Sequence, residues 1–132
     1  MKIYVDAEGI QVGRLGSFVA KKALEGNEVI ILNSEKAIIS GKKENVLNEI
    51  INWRNKGGTS LKGPKVSKYP HLLLRRMIRG MLPWDKTKGR EAYKRIKCYL
   101  SNQIKPEKEI IRLNIKKPLK FVQLNEICKL LG

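Results

Sequence analysis

The order of elements along the chain predicts an α/β fold, one domain built on a mostly parallel sheet. Three observations predict it. A short β-like run, a helical pattern and a second β-like run follow one another within about 35 residues, the size of a right-handed βαβ unit. The second run, Glu28–Asn33 (EVIILN), is unbroken apolar sequence from Val29 to Leu32 and rich in β-branched residues, the mark of a strand buried on both faces. Helical and strand-like patterns then keep alternating, which favours helices packed on a parallel sheet.

The elements follow in order. Lys2–Val5 is a short strand closed by the turn-prone Asp6–Gly9. Arg14–Glu25 is a helix, because Leu15, Phe18, Val19 and Ala23 share one face and Gly26 offers a C-terminal stop. Ala37–Ser40 is a further short strand. Lys42–Asn55 is a helix with Val46, Leu47, Ile50 and Ile51 on its inner face. Lys56–Lys68, with three glycines, a proline and four lysines, is a basic loop. Pro70 suits a first helical turn, and His71–Met81 follows with Leu73, Leu74, Met77, Ile78 and Met81 inward and Arg75, Arg76 and Arg79 opposite. Pro83 ends that helix. Thr87 is positioned to cap a short helix running to Arg95, and Lys97–Leu100 reads as the last strand. Ser101–Lys120 is irregular, and IIRLNI within it has no assignment. Leu124, Ile127, Cys128 and Leu131 recur at helical spacing and predict a short closing helix. The expected organisation is one domain over 1–132: a core over about 1–100, then an irregular extension and short helix over 101–132.

Composition narrows the function. The 132 residues carry a formal charge of +16, with a sequence pI near 10.1. Residues 56–97 hold 13 of the 28 bases and two of the 12 acids, and no acid stands between Glu49 and Asp85. A face tuned only for solubility mixes signs, so this asymmetry points to a polyanion, nucleic acid first. Cys98 and Cys128 form no paired motif and fit reduced thiols. No stretch is long and apolar enough for a membrane span, and Asp6 and Glu8 interrupt any signal-peptide pattern. The expectation is a soluble intracellular protein.

Catalytic and cofactor motifs do not materialise. Gly9, Gly13 and Gly16 open a helix after the first strand, but their spacing misses the dinucleotide fingerprint. Gly58 and Gly63 have the separation of a phosphate loop, yet Pro64 stands where its lysine belongs. His71 is the one histidine, and it reads as a surface or capping residue beside a helix start. With two scattered cysteines it makes no zinc spacing. No cofactor, metal or small-molecule substrate is expected. A small α/β enzyme acting on a phosphorylated substrate through the Gly13–Arg14 turn is the alternative.

The richest stretch is residues 75–97, RRMIRGMLPWDKTKGREAYKRIK, where nine of 23 residues are Lys or Arg and two are acidic. Met77, Ile78, Met81, Leu82, Trp84, Tyr93 and Ile96 interleave with these bases. A solvated tail lacks such residues, so the cations sit on folded structure. The candidate RNA-binding residues are Arg14, at a helix N-terminus where N–H groups also favour phosphate; Lys42 and Lys43, at the start of another; and Arg75, Arg76, Arg79, Gly80, Trp84, Lys86, Lys88, Arg90, Lys94 and Arg95. Gly80 allows close backbone approach. Tyr93 reads as core, and Trp84 stands between core packing and base stacking. No DNA-reading module is present, so a compact basic α/β domain fits shape recognition of folded RNA.

RGMLPWDKTKGREAYKRIKCYL resembles the signature segment of the universal large-subunit ribosomal protein family L-thirteen. DAEGIQVGRLGSFVAKKALEG is similar to that family's opening strand, turn and helix, and VIILNSEKAIISGKK to its second strand and Ser-Gly turn. LKFVQLNEICKLLG resembles the tail of archaeal members, and the helical reading of Lys42–Asn55 also points to the archaeal and eukaryotic branch. Two positions depart: Ser101 stands where a glycine is expected, and Cys98 where an aliphatic residue is usual. The resemblance implies an α/β/α sandwich around a four-stranded parallel sheet of order 3-2-1-4. It implies a non-enzymatic constituent of the large ribosomal subunit in the cytoplasm. Such a protein contacts large-subunit rRNA and neighbouring large-subunit proteins and acts early in assembly, away from any membrane.

Overall fold

The structure is a computed structural model and describes residues 2–55, 69–101, 106 and 109–131. In chain order its elements are β1 (Lys2–Asp6), α1 (Val12–Leu24), β2 (Glu28–Leu32), a 3-10 turn (Ser34–Lys36), β3 (Ile38–Ser40), α2 (Lys43–Arg54), α3 (Pro70–Arg79), α4 (Thr87–Lys94), β4 (Ile96–Cys98), β5 (Ile110–Arg112), β6 (Phe121–Gln123) and α5 (Leu124–Leu131). The basic loop expected over 56–68 lies outside the described residues.

Four strands form one parallel sheet in the order β4-β2-β1-β5. Ile3 lies opposite Val29 and Val5 opposite Ile31, while Val29 on its other side faces Ile96 and Tyr4 faces Ile110. Counted within the sheet alone, this is the order 3-2-1-4. With the five helices it makes an α/β fold consistent with three layers. The strands filling the sheet differ from the sequence expectation at two places. Ile38–Ser40 is a strand but pairs antiparallel with Phe121–Gln123 in a separate two-stranded sheet. Ile110–Arg112, which had no assignment, is the fourth strand beside β1. Its three residues are too few to show a period, and only the pairing with Tyr4–Asp6 defines them.

Alternation along the strands splits the core in two. Val5, Val29, Ile31, Ile96 and Cys98 belong to the large cluster, with Leu15 and Val19 of α1, Leu73, Leu74 and Ile78 of α3, Ala92 of α4 and Ile127 of α5. Tyr4, Ile30 and Leu32 form a smaller cluster that Tyr99 and Ile110 cover, the residues flanking the return from β4 to β5. Leu124, Ile127 and Cys128 are as buried as the strands, so the chain's last helix completes the main core.

Local signals explain the ends of elements. Gly26, at φ +100°, closes α1: its N–H reaches the Ala23 carbonyl and the Asn27 N–H reaches Lys22 O, the paired bonds of a Schellman cap. Asn33 adopts the left-handed region at φ 57°, and its amide donates to Asp6 Oδ1 at 2.9 Å, tying the ends of β1 and β2. Thr87 is the first helical residue of α4, not its cap. Lys86 takes the cap position without a side-chain bond. Met81 leaves the inward face because α3 ends at Arg79. It is 39% exposed, with its sulfur lying over Gly16 of α1. Ser101 has a use for its side chain: its N–H donates to the Glu35 carboxylate and its hydroxyl to Asn33 Oδ1 at 2.7 Å.

Candidate nucleic-acid interface

The candidate cations fall into sets that the elements keep apart. Arg14 is exposed in the first turn of α1, beside an exposed Gly13 whose Cα opens onto free space. Lys42 and Lys43 are exposed at the start of α2, and Lys43 Nζ stands 4.0 Å from Glu126 of α5. Lys86 and Lys88 are exposed at the start of α4. Cations at helix N-termini oppose the helix dipole by about 0.3–1 kcal/mol each. Neither α1 nor α4 has an acid in its first turn to offset this.

The arginines of α3 and α4 are built into a stack. Arg75 lies over the Tyr93 ring at 4.1 Å. Tyr93 meets Trp84 edge to face at 5.2 Å. Arg79 lies over Trp84 at 4.0 Å. Arg76, one turn before Arg79, lies over Trp53 of α2 at 5.4 Å. Both Trp84 and Tyr93 are half-buried, with Tyr93 also packed on the main core. Gly89 makes the turn before α4 possible, because a Cβ there would overlap the Pro83 carbonyl. Arg90 Nε then donates to Trp84 O at 2.9 Å and holds the indole's backbone in place.

These arginines do not have equal freedom. Arg75 Nε donates to Ile96 O at 2.9 Å and its Nη2 to Tyr93 O at 3.2 Å. β4 is an edge strand, and the carbonyl of Arg95 just before it bonds toward β2, so the Ile96 carbonyl points off the sheet. Arg75 therefore covers an open edge and ties α3 and the end of α4 to β4. Arg95 Nη1 donates to Ala23 O at 3.0 Å, joining the end of α4 to α1. Lys94 and Arg95 line a shallow cleft with Gly26, Glu28 and Lys97, where Lys97 pairs with Glu28 at 3.3 Å. Arg76 and Arg79 have ring contacts but no hydrogen bond or ion pair among the described residues. Burial and then the Arg79 charge push the Arg76 guanidinium below its ordinary value. An arginine stays protonated, so the direction reports first the cost of burying its charge and second the nearness of another cation, with Tyr93 opposing both.

Trp53 was not foreseen as part of this arrangement. It lies on a helix that the residues 56–68 separate from α3, and no motif links the two. Among the described residues, no group of His, Cys, Asp and Glu could hold a metal, and no helix is long and apolar enough to cross a membrane. The Cys98 thiol is pushed up to about 12 by burial, against the smaller opposing pull of Arg75 and Ser34, so it stays protonated.

Comparison of the sequence with known proteins supplies the family. The family model for ribosomal protein L13 matches residues 1–105. The large ribosomal subunit protein uL13 of Methanopyrus kandleri is 40% identical over 97% of this chain and 85% of its own length. That of Methanococcus maripaludis is 39% identical over 98% and 97%, and that of Methanocaldococcus jannaschii 40% over 97% and 96%. The chain belongs to the ribosomal protein L13 family. These three relatives are archaeal, in accord with the archaeal character of the tail. The L13 family consists of structural ribosomal proteins, and nothing supports the small-enzyme alternative.

Proposed function

We propose that the chain is a structural constituent of the large ribosomal subunit, residing in the cytoplasmic ribosome, where it binds large-subunit rRNA and enters early in assembly. Family membership supports the ribosomal role. One observation carries the RNA part: Arg76 and Arg79 of α3 lie over indole rings, and Arg14 of α1 and Lys86 and Lys88 of α4 are exposed, none of the five with an acidic partner among the described residues. Such a surface costs repulsion in the free protein and gains most where phosphates replace bulk counterions. Arg14, Lys42, Lys43, Arg76, Arg79, Lys86, Lys88, Arg90 and Lys94 are the proposed phosphate contacts, with Gly80 allowing close approach. Arg75, Trp84 and Arg95 contribute by holding that surface in shape. Neighbouring large-subunit proteins are the remaining partners.

Sedimentation of lysate through sucrose gradients at low and high salt tests the role. The chain is expected to travel with large subunits and to be released only at high salt. Migration as a free monomer at every salt concentration would overturn it.

A further inference from the structure

We propose that Arg76 and Arg79 form a preorganised clamp for a backbone phosphate of RNA, with Trp53 and Trp84 as positioning residues that hold the two guanidinium groups. The clamp deepens the rRNA-binding reading above and rests on it.

Four observations carry the inference. Arg76 and Arg79 are three residues apart on α3, which makes their side chains neighbours on one face of the helix. Each lies over an indole, Arg79 at 4.0 Å from the Trp84 centroid and Arg76 at 5.4 Å from that of Trp53. Neither donates a hydrogen bond or meets an acid among the described residues, unlike Arg75, Arg90 and Arg95, whose N–H groups reach backbone carbonyls. Their charges also act on each other, since Arg79 lowers the Arg76 value.

The chemistry follows from the geometry. Each guanidinium carbon lies over an indole, Arg79's closely and Arg76's farther out, and neither group's N–H is taken up among the described residues, so an N–H fork remains for a ligand. That fork matches two oxygens of one anion, which an ammonium group cannot do. Stacking removes rotamer freedom before binding, so less is lost when the anion arrives. The Arg79 end of the stack is supported from behind: Trp84 rests on Tyr93, Tyr93 on Arg75, and Arg75 on the β4 edge. Two adjacent cations without an acid select an anion, and the forks select a phosphate over a diffuse negative field.

The test separates fork geometry from charge. The full chain is titrated with an in vitro transcript of large-subunit rRNA at several salt concentrations. The Arg76→Lys/Arg79→Lys double variant keeps both charges and is expected to bind about tenfold more weakly, with an unchanged slope of log K against log salt. Trp84→Leu keeps every cation and is expected to weaken binding in the same way. Thermal melts of each variant guard against misfolding, and the lysine pair decides the matter alone if Trp84→Leu is unstable. Binding by the lysine pair within twofold of the wild type would overturn the clamp and leave the rRNA reading standing. Failure of the wild-type chain to bind the transcript would overturn both.

Discussion

Replacing Arg75 with methionine separates structural arginines from RNA-facing ones. The substitution keeps most of the apolar stem and removes the guanidinium. It deletes the bonds to Ile96 O at 2.9 Å and Tyr93 O at 3.2 Å and the contact over the Tyr93 ring at 4.1 Å. A hydrogen bond from a charged donor contributes about 1.5–3 kcal/mol, and an exposed cation–π contact about 0.5–1. Arg75 is half-exposed, so water takes over part of the carbonyl bonding. The expected loss is therefore about 2–4 kcal/mol, below the full sum of the parts. For a chain of this size that lowers the melting temperature by roughly 8–15 °C. Thermal unfolding of the isolated protein, followed by far-UV circular dichroism, reads it directly. Arg76→Met/Arg79→Met loses two ring contacts but also the repulsion between the two cations, and is expected to melt within about 5 °C of the wild type, because neither side chain hydrogen-bonds to the fold among the described residues. A melting temperature for Arg75→Met equal to that of the wild type would refute the edge-covering role and return Arg75 to the ligand-facing set.

Three more outcomes are expected. Gly89→Ala should destabilise the protein by about 1–3 kcal/mol in urea titrations, despite alanine's better helix propensity, because the new Cβ meets the Pro83 carbonyl; a stabilised variant would contradict the close packing of that turn. Burial alone would raise the Asp6 carboxyl, but the Asn33 amide, the Glu8 N–H and Arg112 at 3.3 Å outweigh it and hold its value down. Its folded value thus lies below that of the unfolded chain, so the contribution is fully present above about pH 4 and is lost as pH falls through the folded value. Asp6→Asn should show a shallower loss of stability between pH 5 and pH 2 (roughly the window of carboxylate protonation), and identical profiles would count against this. Cys98, buried and pushed up to about 12, should resist thiol reagents at pH 8 until the protein unfolds; rapid labelling of the native protein at Cys98 would show that the thiol is reachable.

Much of this protein was legible before any coordinates. Periodicity placed α1, α3 and α5 because each has a long apolar stripe, and the unbroken VIIL run marked β2 as a central strand. Gly26 announced the end of α1, and Pro70 the start of α3. Length and charge already required folded structure presenting cations to a polyanion, because the bases are interleaved with residues that need a core. The three-residue strands were another matter: β3 and β5 are defined by their partners, and nothing within IIS or IIR says which sheet will accept them.

The division of labour among the basic residues was decided by tertiary structure alone. Arg75, Arg76 and Arg79 are the same residue type within one and a half turns of one helix. In the sequence they are equivalent. Folding brings the β4 edge to Arg75, Trp84 to Arg79 and Trp53 to Arg76. Those partners come from separate segments, so only the packed chain can assign one guanidinium to the protein's own carbonyls and leave its two neighbours for an anion. Charge is a sum over residues, which sequence determines completely. Whether a charge is already satisfied depends on distances between residues far apart in the chain, which sequence by itself does not contain.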